Sequence, residues 1–179
     1  MRASAPDLWE AIVLEASEES RIWRDAVRPD AEREQLAVFS PLGEERYALG
    51  LETIYEGYLV HYGVSRLFAP RDADTALLLG DYLYAHGLVR IASFGDVDAV
   101  FDLSELISLC SQLRAEGVDG EGVLWAATAA LLGGGALDEA RAALRLRADG
   151  TALETAARLA AGDEAVDRAL AVHAMRRSP

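Results

Sequence analysis

The chain has 179 residues, a length that suits one domain, 1–179, able to bury about two thirds of its unfolded surface in a hydrophobic core. With 51% hydrophobic and 26% charged residues it has an ordinary globular balance, which argues against long disorder, and no apolar run reaches the length of a membrane span. A net charge of −13 repels nucleic-acid phosphates and anionic lipid, and all 17 basic residues are arginine, which excludes a Schiff-base lysine and a P-loop lysine.

At the N-terminus, Asp7 and Glu10 stand where a secretion signal needs its apolar core, so a cytoplasmic protein is expected. Between Pro6 and Pro29, Leu8, Ile12, Ala16, Trp23 and Val27 recur at helical spacing on an acidic background, and "DAEREQLAVFS" adds a short helix. A longer helix is predicted from Gly43 to Phe68, with Tyr47, Leu51, Ile54, Tyr58 and His61 at three- and four-residue steps. After "APRD", either Asp72 or Asp74 offers an N-cap for a helix through Ser93 whose apolar residues fall on nearly every face, which predicts a central, buried element.

Asp96 or Asp98 caps the next helix, which Gly117 ends. "GVLWAATAALLGGG" and "ALDEARAALRLRADG" read as an antiparallel pair, with Gly133 to Gly135 as a tight turn rather than a phosphate loop, and two short helices follow. The fold class is therefore all-α, a helical bundle. Cys110 is the single cysteine; in "LISLCSQL" it reads as a buried, inert thiol.

Several of these residues carry a resemblance. Leu59, Val60 and His61 resemble the start of the Leu-Ile-His-Asp-Asp-x-x-Asp helix of the trans-isoprenyl diphosphate synthases, and "LLLGDYLYAHGL" resembles their next buried helix, with Gly80 and Asp81 on its Gly-Asp pair. Thr128 falls on the threonine of that family's Lys-Thr-Ala-x-Leu helix, and the likeness runs from about Leu51 to Leu137. It implies an isoprenoid synthase fold, here in a truncated form.

The departures remove the family's chemistry. Prenyl transfer uses carboxylates at helical i, i+1 and i+4 to bind Mg²⁺, and this chain has Tyr62, Gly63 and Arg66 there. The basic loop shrinks to "FAPRDADT" with Arg71, the family lysine is replaced by Trp125 or Ala127 according to register, and "DEARAAL" and "GDEAVDRA" supply no second aspartate-rich motif. No catalytic residue, resident metal or cofactor is therefore assigned.

Three functions follow as expectations. The first is a non-catalytic structural or regulatory subunit, joined to a second copy of itself or to a catalytic prenyl synthase subunit through Tyr55, Tyr58, Tyr62, Tyr82 and Tyr84, since tyrosines combine apolar area with a polar tip. The second is a binding module for a prenyl-like apolar ligand. The third is an enzyme with an unrelated site built from His61, Asp74, Asp81 and His86. For Asp81, in a strongly apolar helix, burial with a hydrogen-bonding partner is expected.

Overall fold

The computed structural model describes residues 7–177, and the described residues form nine α-helices and three single turns of 3-10 helix, with no strand among them. The expected N-terminal helix is two helices, α1 (Leu8–Glu19) and α2 (Arg21–Asp25). Ser20 separates them with an extended backbone (φ −148°, ψ 139°), and its hydroxyl accepts from the Ile22 N–H as an N-cap. α1 lays Trp9, Ile12 and Ala16 on Leu67, Phe68, Leu79 and Leu83, forming a second, smaller core. The helix expected over "DAEREQLAVFS" is reduced to one turn at Asp30–Glu32. Beyond it the Val38 and Ser40 N–H groups donate to the Glu52 carboxylate, 3.2 Å each, instead of to helical carbonyls.

α3 (Ala48–Tyr62) is shorter at both ends than the predicted helix. Single turns at Ser40–Leu42 and Glu45–Tyr47 lead into it, and extended Gly63 (φ −149°, ψ −150°) stops it. Every residue from Gly50 to Leu59 is buried, so α3 is the central helix.

α4 (Ala73–Ala92) starts on Asp72, whose carboxylate accepts the Thr75 N–H at 2.7 Å; Asp74 is a first-turn acid. The expectation that α4 is buried on nearly every face is corrected. Leu79, Gly80, Leu83, Tyr84, Gly87 and Ile91 face inward, but Leu77, Leu78 and Val89 are 55, 56 and 65% exposed. The reason is position: α3 covers one face of α4, while α1 and α5 flank it and leave the back open.

The α3–α4 contact is unusually close because glycines meet glycines. Gly50 and Gly57 stand one heptad apart on α3, and Gly80 and Gly87 one heptad apart on α4. A Cβ on Gly57 would lie 3.0 Å from the Gly80 carbonyl oxygen, and one on Gly87 would lie 3.0 Å from that of Gly50. The two helices therefore run antiparallel with their backbones nearly touching.

α5 (Val97–Glu116) is capped by Asp96, the first of the two expected candidates, which accepts the Ala99 N–H at 2.9 Å, and is closed by left-handed Gly117 (φ 67°), as its sequence indicates. α6 (Glu121–Ala130), α7 (Asp138–Arg147), α8 (Thr151–Ala161) and α9 (Asp163–Arg176) complete the bundle. The expected α6–α7 pair gives way to a different arrangement: α6 packs chiefly on α8, with α5 and α9 beside it, and α7 leans on α8. Gly133 and Gly135 take positive φ (79° and 63°) in the turn after α6, and the Gly133 N–H donates to Asp102 at 2.9 Å. Cys110 is buried, and burial pushes its thiol pKa well above the ordinary value.

Candidate functional site

The C-terminal end of α3 and the segment Gly63–Phe68 hold the residues that the resemblance places at the metal site. Each is used for packing. The Tyr62 ring lies 5.5 Å from those of Tyr58 and His61, and its carbonyl accepts from Arg114 of α5 at 3.3 Å. Gly63 is crowded by the end of α9, where the Val64 N–H donates to the Arg176 carbonyl at 2.9 Å; a Cβ on Gly63 would lie 2.5 Å from that oxygen.

Arg66 is 1% exposed and reaches back into the bundle. Its Nη1 donates to Glu52 at 2.7 Å and to the Leu36 carbonyl at 2.7 Å, and its Nε donates to Glu56 at 2.9 Å. The other carboxylate oxygens are also engaged. Glu52 Oε1 accepts Val38 and Ser40 N–H, and Glu56 Oε1 accepts the Ser65 hydroxyl and, at 2.9 Å, the Leu67 N–H. Trp9 and Tyr55 cover the guanidinium at 4.7 and 5.1 Å. Burial disfavours the charged guanidinium, but Glu52 and Glu56 outweigh it and raise its pKa. A hard cation needs free oxygen ligands, and the residues at this end of α3 do not fit Mg²⁺.

The four residues named for an unrelated site do not assemble. Two of them meet: His61 Nε2, on a mostly buried ring, lies 3.2 Å from Asp81, whose side chain is 65% exposed, so the expected burial of Asp81 is corrected. Burial lowers the His61 pKa despite the opposing effect of Asp81. Asp74 is exposed about 10 Å up the same stripe of α4. His86 lies about 140° around the helix from Asp81, and there its Nε2 meets Glu15 of α1 at 2.5 Å beside Arg90. Burial pushes the Glu15 carboxyl up, yet hydrogen bonds from His86 and Arg90 hold it below its usual value. Among the described residues no three His, Cys, Asp or Glu side chains are grouped to hold a metal ion.

The tyrosines expected at an interface divide. Tyr55, Tyr58 and Tyr84 are 0, 0 and 9% exposed, enclosed in the chain's own core, so they offer no surface to a partner; Tyr62 and Tyr82 are half-buried. Tyr55 and Tyr58 surround His173 of α9, whose Nδ1 lies 3.0 Å from the Tyr55 hydroxyl. Burial, with Arg177 and Arg114 nearby, pushes the His173 pKa down to about 4. A depressed imidazole binds fewer protons folded than unfolded, so its stabilising contribution is present above the unfolded pKa of about 6.5 and is lost as pH falls toward 4. Urea titrations at pH 7.5 and 5.0 should show His173→Gln removing about 2 kcal/mol of the wild-type pH sensitivity over that interval. An unchanged pH slope in the variant would contradict a neutral, buried His173.

Glu52, Glu56, Glu121 and His173 escaped sequence reasoning. Their signal was present for the first two, as carboxylates at i and i+4 in an apolar helix; their partner Arg66, 14 and 10 residues on, fell inside the predicted helix and turns back to them only because α3 stops at Tyr62. Glu121, fully buried, is bound by Arg114 Nε at 2.8 Å, and Arg114 also donates to the Tyr58 hydroxyl at 2.9 Å. No family model matches this chain, and neither a curated protein nor a solved structure matches it.

Proposed function

We propose that the protein is a non-catalytic, isoprenyl-diphosphate-synthase-like helical subunit that acts by association, with a second copy of itself or with a catalytic prenyl synthase. The observation that carries this reading is Arg66. Where the resembling enzymes place their last metal-binding carboxylate, this chain has a buried cation that locks the α3–α4 connection to Glu52 and Glu56. Metal binding at this end would have to dismantle that lock.

An association surface is available elsewhere than on the tyrosines. Leu77, Leu78 and Val89 on the back of α4, then Phe94, Val97 and Phe101 around the start of α5, are each 48 to 78% exposed. Exposed apolar area costs about 25 cal/mol per Å², and apolar surface of this kind marks interaction sites. A prenyl chain inside the bundle is the less favoured reading, because Phe39, Tyr55, Tyr58 and Trp125 already fill it with rings 5.1 to 5.8 Å apart.

Light scattering at micromolar concentration should give at least twice the chain mass of 19.3 kDa, with Leu78→Glu/Val89→Glu returning it to one. The purified protein should not elongate an allylic diphosphate with isopentenyl diphosphate and Mg²⁺, and should shift the product length of a catalytic prenyl synthase when the two are mixed. Elongation by the protein alone, or a monomer without effect on that enzyme, would refute the proposal.

A further inference from the structure

Three clefts adjoin across the end of α3. The first, about 320 Å³, is lined by Arg28, Val60 and Val64; the second, about 300 Å³, shares Val64 and adds Leu36 and Arg176; the third, about 140 Å³, shares Leu36 with the second and continues along Val172. Val64 borders the first two, and Leu36 and Val172 border the second and third. The linings of the clefts mix apolar side chains with charged ones and are open, with Val64 51% and Leu36 45% exposed.

Three guanidinium groups line these clefts in a chain of net charge −13: Arg28 in the first, Arg176 in the second and Arg168 in the third, the last donating to Glu164 at 3.2 Å. Arg28 donates its Nε–H to the Ser65 carbonyl at 3.2 Å, while Asp30, two residues away, is taken by Arg33 at 2.8 Å. No carboxylate among the described residues pairs with Arg28, so its outer fork is unspent. Arg176 donates to Glu34, and its buried Nε–H has no acceptor.

We propose that the three clefts act as one groove that binds a long-chain carboxylate, a fatty-acid-like molecule whose head sits on the Arg28 fork and whose chain runs over Val60 and Val64 toward Leu36 and Val172. A guanidinium fork matches the two oxygens of one carboxylate. The acidic surface repels free small anions, so burial of the chain must supply the attraction. The same repulsion, with Glu34 beside the groove, selects against a multiply charged head such as a diphosphate.

Calorimetric titration below the critical micelle concentration tests it with dodecanoate as the probe. Saturable one-site binding is expected, with octanoate weaker by roughly tenfold or more and acetate without effect. Arg28→Gln and Val64→Asp should each weaken dodecanoate by about tenfold. Val64 is half-exposed, so its variant reports on the groove even where Arg28→Gln disturbs the Ser65 contact. The proposal is overturned by absence of saturable binding, by affinity unchanged in Val64→Asp, by equal binding of dodecyltrimethylammonium, or by tighter binding of a prenyl diphosphate. The back of α4 is not part of the groove, so these variants leave the native mass as it was.

Discussion

Arg66→Met is expected to remove about 3 to 5 kcal/mol of stability, a large share of the roughly 5 to 15 kcal/mol that holds a domain of this size together. The loss comes from what remains. Glu52 and Glu56 are 1 and 0% exposed, and without Arg66 both carboxylates are buried without a counter-charge. Arg66→Lys should recover only part of the loss, because an ammonium cannot make the forked contact to both acids and to the Leu36 carbonyl. Buried ion triads elsewhere have been replaced by apolar residues without loss, but that remedy should fail here. The two glutamates also accept the backbone N–H groups of Val38, Ser40 and Leu67, and each buried N–H left without an acceptor costs about 1 to 3 kcal/mol. Urea denaturation of Arg66→Met and of the triple apolar variant decides between the accounts. If the triple variant is as stable as wild type, the glutamates are not holding these segments in place.

The features legible in the sequence were those decided by neighbours along the chain. Gly117 closes α5 as read, and the caps were narrowed to Asp72 or Asp74 and to Asp96 or Asp98, of which Asp72 and Asp96 take the role, because a cap is settled within a few residues of itself. Features decided by what lies across the fold were not. "TALLLGDYLYAHGLVRIA" has apolar residues all around its helix, and nothing in it states that Leu77, Leu78 and Val89 meet no neighbour within the chain's core. The spacing of Tyr55, Tyr58 and Tyr62 marks one helical face, yet α6 and α9, far along the chain, supply the Trp125 and His173 that cover it. Arg66 is the sharpest case. In the sequence it is a cation where the resemblance expects a carboxylate, and only the folded chain shows it holding Glu52 and Glu56.

Gly57→Ala and Gly87→Ala should each lower stability by about 1 to 3 kcal/mol, although alanine is the better helix former by about 1 kcal/mol. The sign is set by space. A Cβ on Gly57 would stand 3.0 Å from the Gly80 carbonyl oxygen, and one on Gly87 would stand 2.4 Å from Ile54 Cγ1 and 3.0 Å from the Gly50 carbonyl oxygen. The obstacles include backbone, which cannot rotate aside, so α3 and α4 must separate along a contact that buries Leu51, Ile54, Leu83 and Ile91. At this chain length each kcal/mol lowers the melting temperature by about 2 to 4 °C. Ala85→Gly, on the exposed side of α4, gives the control: it should lose about 1 kcal/mol through propensity alone. The double variant discriminates further. Once the first alanine has pushed the helices apart, the second finds part of its space already opened, so the paired loss should fall short of the sum of the single losses. Thermal melts that rise in Gly57→Ala and Gly87→Ala would mean that the helices part freely, and that the glycine stripe does not set their spacing.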